Sequence, residues 1–415
     1  MLSDFFSLFQ NEVFLKALRI AWTLWPIWAP FVFITLAWSL WLEYIRRAWT
    51  SKQGSVLLEI KLPKDQPKSP AAMELVLQGI WENANIGTPA EAFWEGKLRE
   101  WFSLEIVAIG GEVRFFIWTF PRWKKIIESR IYAQYPGAEV HEVEDYALNF
   151  HYAPDQTFIT GVGTALVKGD AYPINTYIEH ELDKKKGDEQ EEIVDPLTPI
   201  LEYFGTFGPH ELGVFQILIR AHADESYLYG RLSKKKDWGD DIKKAIKEVI
   251  EEKAHIKPEK DKPASLMSLT DEQKHLIQSI ERNGGKLAFD TMARLVYIAP
   301  QDNYEKTRMM GMIGSMRQFG SRNLNGIKPT FPLAIAYPWQ DFNGIRKKEK
   351  VTTFLDAFKR RAFFGEPHHH IFDKPYVLST EEVATIFHIP GAVATTPNLR
   401  RAPSKKAEAP ANLPV

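Results

Sequence analysis

The hydrophobic pattern of this chain changes period several times, and its first segment has no period at all. Ile20 to Leu42 runs 23 residues without a charge and reads IAWTLWPIWAPFVFITLAWSLWL. As a helix it would be roughly 34 Å long, enough to cross a bilayer core of about 30 Å. Trp22, Trp25 and Trp28 lie toward one end and Trp38 and Trp41 toward the other, where indole rings settle at the two membrane–water interfaces. Glu43, Arg46 and Arg47 then end the run. Pro26 and Pro30 each remove a backbone donor and bend a helix, but prolines are tolerated in spanning helices. A secretory signal would have a shorter apolar region and an A-x-A-like site after it, and none follows Leu42. The segment therefore predicts a single membrane span. Lys16 and Arg19 precede it, while Arg46, Arg47, Lys52, Lys61 and Lys64 follow it. That excess of cations places the soluble part in the cytoplasm. Upstream, Leu2, Phe5, Phe6, Phe9 and Val13 recur at helical spacing and predict an amphipathic surface helix or an early start to the span.

Past residue 50 the period alternates between strand and helix. VLLEIKL at 56–62 predicts a strand, PKDQPKSP at 63–70 a loop, and 71–82 a helix with Met73, Val76, Leu77 and Ile80 on one face. Ser69–Pro70 reads as its N-cap and first position. WFSLEIVAI (101–109) and EVRFFIW (112–118) predict two strands joined by Gly110–Gly111, a pair that supplies the positive φ of a tight hairpin. Pro121 opens a helix to about Tyr135, Pro136–Gly137 stops it, and 138–143 is a short strand. The order β-α-β-β-α-β over 56–144 is the split βαβ, ferredoxin-like arrangement. A second pass of the same grammar follows: extended 158–167, helix 196–204, strand 212–221, charged helices at 240–253 and 271–282, strand 286–298, and a helix from Asn303 to Phe319. It predicts a second ferredoxin-like unit whose central hairpin is expanded by the two charged helices. Residues 351–363 and 380–388 give two more short helices.

The fold class is thus α+β, with an N-terminal transmembrane helix ahead of tandem ferredoxin-like units. The expected divisions are 1–50 (anchor with amphipathic N-terminal helix), 51–150, 151–330, a C-terminal helical and extended segment at 331–390, and a Pro/Ala/Lys-rich, disordered tail at 391–415.

Composition narrows the chemistry. Fifty-two basic against 53 acidic residues give a formal net charge of −1, so no whole-protein nucleic-acid footprint is present. The chain has no cysteine, which excludes disulfides, thiolate catalysis and Cys-ligated zinc or iron–sulfur clusters. No phosphate loop occurs; Asn283–Gly284–Gly285–Lys286–Leu287 lacks the glycine spacing and the Ser/Thr. His141–Glu142, His180–Glu181 and His210–Glu211 each lack the second histidine of a zinc-binding H-E-x-x-H. His368, His369 and His370, with Glu366 and Asp373 nearby, are the one cluster that could hold a metal. In an extended segment, however, adjacent side chains point to alternating sides. Basic runs at Lys184–Lys186, Lys234–Lys236, Arg346–Lys348 and Lys359–Arg361 read mostly as solvated faces. The last two could neutralise phosphates of nucleic acid or anionic lipid. Met309, Met310, Met312 and Met316 read as a packing face. No catalytic, cofactor-binding or metal residues are assigned.

Two passages resemble a bacterial family. One is SPAAMELVLQGIW (69–81), continuing through FSLEIVAIGGEVRFFIWT and IYAQYPGAEVHEVEDY to Tyr146. The other is YVLSTEEVATIFHIPGAVATTPNLRRAPSKKAEAPANLPV (376–415). Both look like the membrane-proximal, non-motor region, a domain of unknown function, found with HerA/FtsK-type and type IV secretion coupling-protein ATPases. In longer relatives the motor carrying the phosphate loop follows this region. Here the chain stops about where it would begin, so the resemblance implies a stand-alone, non-catalytic accessory of a separate DNA-translocating ATPase of secretion or conjugation. The expected partners are the lipid bilayer and that ATPase, with direct nucleic-acid contact disfavoured and a homo-oligomer compatible. On the helix capped by Ser379 or Thr380, Val383, Ile386 and Phe387 fall at i, i+3, i+4 and are expected to dock on the ATPase. The alternative is a membrane-bound, metal-dependent hydrolase using His368–His370.

Overall fold

The alternating run after Gly54 becomes the first strand of an antiparallel sheet that collects almost every extended segment of the chain. The computed structural model describes residues 12–61, 69–81, 88–183, 195–223, 238–253, 269–335, 337–362 and 375–390. Its strands are β1 (Val56–Lys61), β2 (Phe102–Ile109), β3 (Glu112–Thr119), β4 (Glu139–Val143), β5 (Thr157–Leu166), β6 (Leu212–Ala221), β7 (Ala288–Pro300), β8 (Ile327–Thr330) and β9 (Tyr376–Ser379). The helices are α1 (Glu12–Thr23), α2 (Trp25–Gln53), α3 (Ala71–Ile80), α4 (Lys124–Gln134), α5 (Thr198–Gly205), α6 (Trp238–Lys253), α7 (Asp271–Gly284), α8 (Arg308–Gly314), α9 (Ile345–Lys359) and α10 (Thr380–Ile386). The protein is therefore α+β with an N-terminal apolar helix. It divides into two compact units. One comprises described residues 12–52 together with 88–98; the other holds the sheet and everything packed on it.

The strands lie in the order β4-β1-β3-β2-β6-β7-β5-β8, and β9 pairs with β7 beyond the end of β5. Every neighbouring pair is antiparallel. The pairing of β2 with β6, from Phe102 opposite Ile219 to Ile109 opposite Leu212, fuses the segments 51–150 and 151–330 into one sheet. The boundary near residue 150 is thus a seam within a sheet, and β9, from the 331–390 segment, extends the same sheet.

The hairpin closes as its sequence requires. Ile109 faces Glu112 across the turn, and Gly110 and Gly111 have φ of 59° and 83°. Positive φ at both central residues is the turn whose twist suits a two-residue hairpin. A Cβ on Gly111 would also stand 2.6 Å from the Phe207 carbonyl oxygen. The predicted helix at Asn303–Phe319 is shorter than its periodicity suggests: α8 spans Arg308–Gly314, with a 3-10 turn at Arg317–Phe319. Gly311 and Gly314 weaken the run as helix formers, and Gly311 is where the Tyr203 ring packs against the backbone. By contrast α9 begins at Ile345 rather than 351, because Asp341 accepts from the Arg346 and Lys347 amides at 3.0 and 2.9 Å.

The seam is held by a buried polar row. Glu105 on β2 lies opposite Gln216 on β6, which lies opposite Arg294 on β7, and all three are fully buried. The Glu105 carboxylate accepts from Ser103 Oγ (2.6 Å), Gln216 Nε2 (2.7 Å), Tyr146 OH (2.7 Å) and Arg361 Nε (3.0 Å). Arg361, just past α9, is itself fully buried and also pairs with Asp145. Its φ is +50°, a conformation that costs a non-glycine residue about 1–3 kcal/mol. Trp101 Nε1 donates to its carbonyl at 3.1 Å. Burial pushes the Glu105 carboxyl up, but the Arg361 charge and the donors around it outweigh that and hold it below the ordinary value. Residues 104 and 106 point to the opposite face. There Phe115 meets Phe387 at 5.8 Å between ring centroids.

Two consequences can be measured by denaturant or thermal melting of the full-length chain in detergent. Replacing Gly110 and Gly111 together by valine should lower stability by roughly 1–3 kcal/mol or more, since a β-branched residue is strained at positive φ. Arg361→Met alone should cost about 3–5 kcal/mol by leaving Glu105 as an unpaired buried charge, and adding Glu105→Gln should recover most of the loss. Equal losses in the single and double variants would refute the pairing.

Candidate functional site

The apolar run Ile20–Leu42 folds as two helices, with the break at Leu24. Pro26 sits in the first turn of α2, where its missing N–H is not needed, while Pro30 lies inside the helix. α2 is long and apolar enough to cross a membrane, and only 11% of its most apolar window is buried within the protein. Trp22, Trp25, Trp28, Trp38 and Trp41 are all exposed, from 77% at Trp22 to 38% at Trp41. The run holds three hydroxyl side chains, and each is satisfied by its own helix. Thr23 Oγ1 donates to Arg19 O (2.8 Å), Thr35 Oγ1 to Val32 O (2.9 Å) and Ser39 Oγ to Leu36 O (2.8 Å). Arg47 pairs with Glu43 one turn back, and Arg46 is partly buried.

A second segment joins this helix at its C-terminal end. Residues 88–98 pack along α2 through a π-turn at Glu91–Glu95. Trp41 Nε1 donates to Phe93 O at 3.0 Å; the Trp38 and Phe93 rings lie 5.6 Å apart and the Trp41 and Trp94 rings 5.9 Å. Gly96, at φ +73°, lets its backbone lie directly against Ile45. The result is a partial collar of Trp38, Trp41, Tyr44, Phe93 and Trp94 on one side of α2 where the apolar run ends. Phe93 and Trp94 went unnoticed in the sequence because they fall outside any periodic run. Their signal is the adjacency of two large aromatic residues ahead of a glycine.

The second concentration of chemistry is a buried ionic cluster where α3, α7 and α10 meet. Lys286 Nζ donates to Glu74 at 2.7 and 3.0 Å and pairs with Glu381 at 3.0 Å. Tyr177 OH and Thr380 Oγ1 also donate to Glu74, at 2.7 and 3.1 Å. Thr176 Oγ1 donates to Glu381 at 2.6 Å, and Arg282 bridges Glu179 (2.7 Å) and Glu381 (3.3 Å). Glu382 closes a capping box with Ser379 and accepts the Ile174 amide at 2.9 Å. Close by, His388 Nε2 meets Asp195 at 2.9 Å and its Nδ1 meets Ala384 O at 2.9 Å. Burial pushes Asp195 up, yet His388 and the Leu197 amide hold it below its ordinary value. Apart from the capping box and the His388–Ala384 contact, these bonds join segments distant in sequence, and those to Thr380, Glu381, Glu382 and His388 tie the C-terminal segment to the body.

This arrangement corrects two expectations. Val383, Ile386 and Phe387 are fully buried, because their stripe packs on the chain's own core against α3 and β3. They offer no docking face for a partner. Arg361 belongs to the core and not to a surface basic run, because Glu105 and Asp145 draw it inward. Arg346, Lys347 and Lys348 are exposed. Met312 and Met316 are buried, whereas Met310 is 74% exposed. His368–His370, Glu366, Asp373, Lys184–Lys186, Lys234–Lys236, the 391–415 tail and residues 1–11 lie outside the described residues. Among the described residues no group of three or more His, Asp or Glu side chains is placed to hold a metal ion.

Glu382 supplies a pH test. Burial pushes its carboxyl from the ordinary 4.5 up to about 7, against the amides of Ser379 and Ile174 and the Asn283 side chain that pull it down. A carboxyl raised on folding favours the fold below its unfolded value, and that contribution is lost as pH rises from about 4.5 through 7. Glu382→Gln keeps the cap acceptor without the charge. It should match the parent near pH 4 and be more stable at pH 8, by at most about 3 kcal/mol. Melting curves of both chains at the two pH values check this; a gap that does not grow with pH would contradict it.

No curated protein matches the chain. Residues 46–402 match the model of a family described as Domain of unknown function (DUF8128), and the match takes in the end of α2, the collar segment, the whole sheet and α10, so the chain belongs to the DUF8128 family.

Proposed function

We propose that this protein is a membrane-anchored, non-catalytic interaction protein. In this reading α2 crosses the bilayer once, the sheet unit stands in the cytoplasm, and the chain works beside a separate DNA-translocating ATPase of secretion or conjugation type. The observation that carries the anchor is α2 itself. Its apolar side chains face outward, its hydroxyls need no partner beyond their own helix, and a partial aromatic collar built from two chain segments lines one side of the end of the apolar run. That is how a helix ends at a membrane–water interface. The cation excess beyond the run supports the cytoplasmic side.

The sheet unit reads as tandem ferredoxin-like units. Numbered from its own first strand, each half has the order 4-1-3-2: β4-β1-β3-β2, then β8-β5-β7-β6. The central hairpin of the second half is expanded by α6 and α7, and the halves share the β2–β6 edge. A binding role is supported by how the buried charges are used. Glu74, Glu105, Glu381 and Asp195 each face an internal partner, so they serve the fold. The ATPase partner rests on the resemblance of residues 69–146 and 376–415.

In native membranes the full-length chain should resist alkaline carbonate extraction and come into solution with detergent. Recovery in the soluble fraction without detergent would overturn the anchor. Crosslinking in those membranes should join the chain to a separate phosphate-loop ATPase. ATP hydrolysis by the purified full-length chain alone would overturn the non-catalytic reading.

A further inference from the structure

The turn between β8 and α9 presents a surface that the core of the sheet unit does not use. Phe331, Tyr337, Trp339, Phe342 and Ile345 are 60%, 51%, 62%, 83% and 65% exposed. Five large apolar side chains held in water within 15 residues mark an interaction site rather than scattered surface apolarity. Their exposure is built in. Ala334 N donates to Phe331 O at 3.1 Å, Lys350 Nζ reaches back to Ala334 O at 2.7 Å, and Gln340 N donates to Tyr337 O at 3.0 Å. Gly344 turns the chain at φ +68°, and Asp341 caps α9. Directly after the apolar residues come Arg346, Lys347 and Lys348, all exposed. Over 337–350 four cations (Arg346, Lys347, Lys348 and Lys350) face two acids (Asp341 and Glu349), a net of +2. The Asp341 carboxylate is occupied by the helix amides.

We propose that this turn is a second membrane contact, a docking surface for an anionic phospholipid leaflet. The inference rests on the anchored reading above and adds to it a lipid class and a site. Rings and an isoleucine at the tip with cations beside them match a surface whose interior is apolar and whose headgroups are negative. Single-stranded nucleic acid would also take aromatic and basic residues, but it needs free ring faces on which bases stack. Tyr337 and Trp339 are stacked on each other, 4.6 Å apart and 11° from parallel, which takes one face of each ring, and Ile345 offers no ring. A leaflet requires only that apolar side chains protrude.

The absence of cysteine allows a single polarity-sensitive thiol label. Full-length F342C, and full-length K244C as an exposed control on α6, would be labelled. Each would be reconstituted in nanodiscs of phosphatidylcholine alone or of an equal mixture with phosphatidylglycerol. The label at 342 should shift to the blue and escape acrylamide quenching in the anionic discs only, while the label at 244 stays in water in both. Arg346→Glu, Lys347→Glu and Lys348→Glu together should lower the docked-to-undocked ratio more than about tenfold. The fold should be kept, since acids suit the first turn of a helix. If the chain enters discs but the label at 342 is quenched equally in both, this inference fails and the anchor stands. If the chain enters no disc, the anchor reading fails. The same labelled chain with phosphatidylglycerol vesicles then decides the turn alone, shielding supporting it and quenching overturning it. Shielding by single-stranded DNA without lipid, or in detergent alone, would overturn it in favour of nucleic acid or a second copy.

Discussion

A charged carboxylate with no access to water sits in the middle of the sheet, and much of the fold is arranged around it. Glu105 lies on the strand through which the two halves pair. An unpaired ion there would cost several kcal/mol. The end of α9 must therefore return to the sheet and deliver Arg361, even at a strained backbone angle, and the 145–146 turn must bring Asp145 and Tyr146 to the same point. Residues from positions 103, 105, 145, 146, 216 and 361 are thus fixed by one group. An apolar pair of equal volume could be as stable. What the ion pair adds is a requirement that these particular segments meet, and with them the two halves of the sheet.

The same logic operates at the C-terminal segment. Every residue from Tyr376 to Pro390 is buried, although the run contains Glu381, Glu382 and His388. Each finds a partner from another part of the chain: Lys286 and Arg282 for Glu381, the Ile174 amide for Glu382, which also caps its own helix at Ser379, and Asp195 for His388. A short helix with one apolar stripe would ordinarily lie on a surface. Here the ionic cluster completes its polar side, so the segment becomes a wedge between α3, α7 and the sheet. Its role is internal.

The exposed aromatic residues then stand apart from those of the core. Apart from Tyr132 on α4, they gather on the apolar run with its collar and at the turn before α9. Core rings such as Phe115, Phe204, Phe215 and Phe354 are fully enclosed. Surfaces of this kind cost solubility unless something apolar covers them, and a bilayer is the covering proposed for each.

Local signals were enough to place the apolar helix, the Gly110–Gly111 hairpin, the strands at 56–61, 102–109, 112–119 and 212–221 and the helices at 71–80 and 271–284. Each depends on a period of two or 3.6, a cap or a positive φ, all written within a few neighbouring residues. What only the tertiary structure decided is everything that depends on a distant partner. Arg361 reads as one of a basic run until Glu105 and Asp145 draw it inside. Val383, Ile386 and Phe387 read as a free stripe until Lys286, Arg282 and Asp195 satisfy the polar residues around them. The short strands β8 and β9 carry too few residues for a period and exist through their neighbours β5 and β7. Phe93 and Trp94 join the aromatic residues of α2 only because Gly96 lets that segment lie against the helix. Electrostatic and backbone hydrogen-bond satisfaction are pairwise over long sequence distances, and a linear pattern does not record them.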